Sequence, residues 1–149
     1  MIWTVVILTL LVVGWYWFEG CWDRRLFRSE VGRVCVNVRP KEAMASLESH
    51  PDMQVLDVRS DVEVSGGALP GAIHISIGDA EFLQKVGTLD KEKPVLVYCA
   101  GGYRSRKAVE VLKKQGFANI QHLHRGFHSW QFAGLPAVRN KAATSTLPH

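Results

Sequence analysis

The chain has 149 residues, a formal net charge of +4, 47% hydrophobic residues and 21% charged ones. That length gives room for one ordinary domain, and that composition excludes wholesale disorder. Cations are scattered, with small clusters at Arg24, Arg25, Arg28 and at Arg104, Arg106, Lys107. No basic stripe with interleaved aromatics is present, so a nucleic-acid partner is not expected. Cys21, Cys35 and Cys99 are odd in number and form no CxxC. This argues against a disulfide framework and a thiolate zinc site, and fits a reducing compartment; no metal or cofactor is expected.

Residues 1–18 contain no side-chain charge, and Ile2 to Phe18 would span roughly 26 Å as a helix, against a hydrocarbon thickness of about 30 Å. Trp3 lies near one end and Trp15, Tyr16, Trp17 near the other, where amphipathic rings prefer the interface. No Lys or Arg precedes the stretch, and Trp15-Tyr16-Trp17-Phe18 offers no small-residue cleavage site. A retained single-pass anchor over 1–18 is therefore expected rather than a signal peptide. Arg24, Arg25, Arg28 and Arg33 follow the anchor, so the rest of the chain is expected on the cytoplasmic side. Residues 19–33, charged and without clear periodicity, read as a juxtamembrane linker.

From there short β-branched runs alternate with helical patterns. Val34 to Val38 reads as a strand, and Pro40 suits the first position of a helix ending near His50-Pro51. Gln54 to Val58 and Ala72 to Ile75 are the next strands, joined by a turn-rich loop from Ser65 to Gly71. Asp79 to Val86 reads as a short helix. Val95 to Tyr98 is a continuous apolar run suited to a strand buried on both faces. Ser105, Ala108, Val109 and Leu112 make an apolar stripe on a helix that Gly116 closes. Asn119 to Leu123 is a fifth strand and Phe127 to Ala133 a last short helix; residues 137–149 read as a flexible tail. Such alternation predicts an α/β domain with a mostly parallel sheet covered by helices on both faces. Ligands in such folds bind beyond the carboxyl ends of strands, which points at the turn after Tyr98.

There Cys99 ends the buried strand, Ala100, Gly101 and Gly102 form a tight loop, and a helix opens near Arg104. The glycines allow successive N–H groups to point inward as an anion nest, and the helix N-terminus and Arg104 add positive potential. A cysteine in that setting is expected to ionise to the nucleophilic thiolate.

Cys99-Ala100-Gly101-Gly102-Tyr103-Arg104-Ser105 resembles the active-site loop of rhodanese-domain sulfurtransferases, C-x-x-G-x-R-(A/S). Leu56-Asp57-Val58-Arg59 with Glu63, then Gly67 through Ile75, is similar to that family's first signature. Leu123-His124-Arg125-Gly126 with Trp130 and Ala133-Gly134-Leu135-Pro136 is similar to its closing one. The resemblance spans about 34–136. It implies a five-stranded parallel α/β domain in which Cys99 takes a sulfur from a small anionic donor such as thiosulfate. The persulfide would lie among the loop groups of Ala100, Gly101, Gly102 and Tyr103, Arg104 would bind the donor, and a thiol, a protein sulfur acceptor or cyanide would receive the sulfur. A membrane-tethered sulfur carrier or interaction module with little turnover is the alternative. Two departures stand out: Gly67-Ala68-Leu69 lacks the family's frequent histidine, and Arg125 replaces the first glycine of L-x-G-G. Phosphatases of related fold use C-x5-R, whereas Cys99 to Arg104 is C-x4-R, a tighter loop suited to a persulfide sulfur. Asp57 and Arg59 are expected to be a structural ion pair, and His122, His124 and His128 lack the companions a metal site needs.

Overall fold

All five expected strands form in the computed structural model, which describes residues 2–28 and 32–139. They are β1 (Val34–Val38), β2 (Gln54–Asp57), β3 (Ala72–His74), β4 (Val95–Tyr98) and β5 (Asn119–Leu123). Every pairing is parallel and the spatial order is β1-β5-β4-β2-β3, so β4 is central. Strand side chains alternate between faces, and β4 is apolar on both. Val95 and Val97 join Phe82, Val86, Val109 and Leu112 in one core layer. Leu96 and Tyr98 join Ala43, Leu69, Leu123 and Trp130 in the other.

The helices are α1 (Ile2–Leu26), α2 (Pro40–Ser49), α3 (Asp61–Ser65), α4 (Phe82–Gly87), α5 (Tyr103–Lys114) and α6 (Gly126–Phe132). The short α3 falls where the sequence shows no helical periodicity. It is nucleated locally, because Ser60 and Glu63 form a capping box in which the Glu63 carboxylate accepts from Ser60 N at 3.1 Å. The helix expected from Asp79 begins at Phe82, since the Asp79 carboxylate takes the Glu81 N–H in a turn.

The larger difference is at the N-terminus. α1 does not stop at Phe18 but continues to Leu26, through what reads as linker. Trp22 and Leu26 fall at i and i+4 and pack against the domain, with Leu26 buried, while Phe18 one turn earlier touches Trp22 and stays exposed. Lys113 on α5 donates to the Leu26 carbonyl at 3.0 Å, satisfying an acceptor the helix end leaves free. At the other end of the chain, Val138 forms an antiparallel bridge with Ala68, so the expected tail begins pinned to the domain. Residues 29–31 of the expected linker and 140–149 of the expected tail lie outside the described residues.

Candidate active site

Cys99 is the first residue beyond β4 and is 1% exposed. Gly102, at φ +95°, turns the chain into α5 and directs its N–H at the Cys99 sulfur, 3.1 Å away. A β-carbon at Gly102 would also lie 3.1 Å from the Arg125 nitrogen, so the position is glycine for both conformation and space. The loop is held from behind by α6. Phe127 N donates to the Cys99 carbonyl at 2.7 Å and His128 N to the Ala100 carbonyl at 3.0 Å. Gly126 packs so closely there that a β-carbon would meet the Cys99 carbonyl oxygen at 2.2 Å. Arg125, in the first glycine position of the closing motif, adopts the left-handed conformation with φ 57°.

Arg104, the family's loop arginine, makes a two-pronged ion pair with Glu63, at 2.7 Å and 2.5 Å. That hydrogen bonding holds the Glu63 carboxyl well below its usual range, at about 2, and raises the Arg104 guanidinium, to which Cys99 adds a smaller favourable interaction. Glu63 thus caps α3 and presents the arginine beside the loop. Tyr103 points elsewhere: its half-exposed ring stands edge-on to Trp22 of α1, with centroids 5.5 Å apart.

A buried polar chain lies behind the sulfur. Ser105 Oγ is 3.4 Å from Cys99 Sγ and 2.8 Å from His122 Nε2. Because β1 and β5 pair in register, Asn37 lies opposite His122, and its Oδ1 is 2.9 Å from His122 Nδ1 while its Nδ2 is 3.1 Å from His124 Nδ1. With the Asn37 amide so placed, His122 Nδ1 carries the proton and Nε2 accepts from the Ser105 hydroxyl. Burial pushes the His122 imidazole down to about 4, so it is neutral at physiological pH. Asn37 takes a ring nitrogen of both His122 and His124.

Arg106 is buried, and its guanidinium bonds Asp23 of α1 in two-pronged fashion, Nε to Oδ1 at 2.6 Å and Nη2 to Oδ2 at 3.0 Å. Its Nη1 donates to the Gly102 carbonyl at 3.2 Å. An open groove of about 920 Å³ lies between α1 and the loop, lined by Trp15 and Tyr16 of α1 and by Gly101, Arg125, His128 and Phe132 of the domain. Asp57 and Arg59 make the expected structural pair on the opposite face. Arg59 Nη2 donates to Asp57 at 2.6 Å and to the Gly67 carbonyl at 2.6 Å, and Tyr98 Oη donates to Asp57 at 2.6 Å.

Of the residues singled out in the sequence, Cys99, Gly102 and Arg104 converge on one corner, with Ala100 and Gly101 as the backbone between them. Ser105, His122, Asn37 and Asp23 were not assigned. Ser105 lies inside the quoted loop motif and His122 within a noted histidine cluster; nothing local marks Asn37 or Asp23.

A doubly covered parallel sheet whose central strand delivers a cysteine into a loop that turns the Gly102 N–H onto its sulfur defines an α/β protein built around one cysteine. The chain belongs to the rhodanese-like domain family, whose model matches residues 39–133. It is similar to the putative sulfurtransferase YtwF of Bacillus subtilis (strain 168), 35% identical over 85 residues, covering 57% of this chain and 80% of that one. It is similar also to the thiosulfate sulfurtransferase GlpE of Coxiella burnetii (strain RSA 331), 36% identical over 81 residues and covering 54% and 73% of the two chains. The crystal structure of a rhodanese-related protein from Thermoplasma volcanium superposes with a TM-score of 0.62 at 32% identity, over 70% of this chain and 98% of that one.

Proposed function

We propose that the protein is a thiosulfate-type sulfurtransferase that carries sulfane sulfur on Cys99 and is anchored in a membrane by α1. The observation that carries this reading is the Gly102 N–H aimed at the Cys99 sulfur from 3.1 Å, in a loop that leaves strand β4 and enters α5. The Cys99 thiolate attacks the outer sulfur of thiosulfate. A new S–S bond forms to Cys99 as the old one breaks, and sulfite departs with the electron pair. The terminal persulfide sulfur then lies near the loop amides. Attack on it by cyanide gives thiocyanate and returns the Cys99 thiolate; attack by a thiolate gives the acceptor persulfide. Arg104 supplies the charge that draws in a dianionic donor, exchanging part of its pairing with Glu63 for the substrate. The open groove beside Gly101 offers a side from which an acceptor thiol approaches the loop. The name of GlpE supports thiosulfate as the donor.

The test is an intact mass of the full chain after thiosulfate treatment. A gain of one sulfur is expected in the wild type and none in Cys99→Ser. A gain in both would place the sulfur elsewhere and end the proposal.

Anchoring rests on α1, whose most apolar window has a mean hydropathy of 1.7. Arg24 and Arg25 in its last turn support a cytoplasmic catalytic domain. Protease added to intact cells should then leave the domain undigested until the membrane is permeabilised; digestion beforehand would place it outside.

A further inference from the structure

Arg106 and its acidic partner come from different parts of the chain. Arg106 is in α5, inside the rhodanese-like segment, whereas Asp23 is on the last turns of α1, outside it. The Arg106 side chain is only 6% exposed, and Asp23 meets it with both carboxylate oxygens. A guanidinium so enclosed needs that partner, because removing one member of a buried pair leaves the other charge uncompensated. With two of its nitrogens fixed on Asp23, the third, Nη1, is held against the Gly102 carbonyl. Ser105 Oγ and His122 Nε2 lie 3.1 Å and 3.2 Å from the same carbonyl, which as the N-cap of α5 also accepts the first backbone bond of that helix, so Arg106 adds the one charged donor to it.

Gly102 is thereby gripped at both ends, its carbonyl by Arg106 and its N–H by the Cys99 sulfur. A glycine at φ +95° has no side chain to hold its orientation, so besides the first backbone bond of α5 these two bonds help to set where the N–H points. From this geometry we infer that Asp23 is a positioning residue for sulfur transfer. It fixes Arg106, which fixes the Gly102 carbonyl, which keeps the Gly102 N–H aimed at the sulfur that develops and loses negative charge. The end of the apolar helix is thus part of the sulfur cradle. Other contacts dock α1 on α5 without reaching Gly102: Trp22 Nε1 lies 3.4 Å from Glu110, and Lys113 holds the Leu26 carbonyl. Those contacts provide the control. The inference rests on the reading of Cys99 as sulfur carrier.

The experiment uses the full chain in detergent micelles, with thiosulfate:cyanide kinetics for wild type, Asp23→Asn, Asp23→Glu and Glu110→Ala. Asp23→Asn should lower kcat about tenfold with KM for thiosulfate changed less than about twofold, since the lost interaction acts on the reacting sulfur and not on donor binding. Asp23→Glu, which keeps the carboxylate, should recover more than half of the loss. Glu110→Ala should turn over as wild type. Hydrogen exchange at the Gly102 amide should quicken in Asp23→Asn while the later amides of α5 keep their rates. A wild type that gains no sulfur from thiosulfate defeats the sulfurtransferase reading and this inference with it. A wild type that turns over, with Asp23→Asn matching it or Glu110→Ala falling equally, defeats this inference alone.

Discussion

Cys35 and Cys99 are both buried thiols on one parallel sheet, 3% and 1% exposed, yet their surroundings have little in common. Cys35 lies within β1 opposite Ile120 of β5, its sulfur in an apolar layer where burial pushes the thiol up. Cys99 lies one residue beyond β4, with the Gly102 N–H, the Ser105 hydroxyl and Arg104 around it. Burial does not separate them; position along the strand does. Inside a strand, backbone N–H groups lie in the plane of the sheet while side chains stand perpendicular to it, so none turns toward a side chain on its face. Just past the end, the same groups are free to turn, and a glycine at positive φ turns one of them onto the sulfur.

The strongest break in this comparison is exchange of sulfur for oxygen at each position. Cys99→Ser should cost about a thousandfold or more in thiosulfate:cyanide turnover, because the nucleophile and carrier are both lost. Cys35→Ser should leave kcat within about twofold while lowering stability by about 1–3 kcal/mol, the cost of burying a poorly bonded hydroxyl. Assays at saturating thiosulfate and urea unfolding midpoints measure the two. A Cys35→Ser protein that folds well and loses turnover would show that the two thiols are coupled.

A smaller effect is read from pH. The native His122 is held at about 4 whereas the unfolded chain has a histidine near 6.5, so between these values the unfolded state binds a proton the native state does not. Stability should therefore fall as pH drops from about 6.5 to 4, by up to about 3 kcal/mol. His124, lowered first by its partial burial, adds to the loss in the same direction. Glu63 acts later: its folded value is depressed to about 2, so its contribution is present above about 4.5 and disappears as pH falls through about 2. Urea midpoints from pH 7 to 5 should flatten in His122→Asn and keep their slope in Glu63→Gln. Equal slopes in wild type and His122→Asn would remove His122 as the source.

The architecture was legible wherever one short run carries the signal. β1, β4 and β5 have the limits their apolar and β-branched runs suggest, and the loop after Tyr98 announces itself through Cys99, two glycines and Arg104. Pairings between distant residues were not legible. Arg106 could be flagged only by nearness to Cys99, since its partner Asp23 lies 83 residues earlier and looks like any juxtamembrane acid. The histidine cluster suggested a weak metal pattern because the sequence cannot show that Asn37, opposite His122 across the β1–β5 ladder, takes its ring nitrogen. α1 was cut short because charges after Phe18 look like a linker. The Trp22, Leu26 pair that prolongs it is only two residues, and it matters because the domain is there to receive it.

Arg125 and Gly126 both adopt φ 57°, yet they stand under unlike constraints. In a lineage descending from this chain, position 125 is free to drift: the left-handed backbone charges a side chain roughly 1–2 kcal/mol, and an arginine is already tolerated there. Position 126 is closed, because the smallest side chain would drive into the Cys99 carbonyl and push the nucleophile's own peptide out of line. Of two adjacent glycines in such a motif, the second is the one that heredity cannot spend.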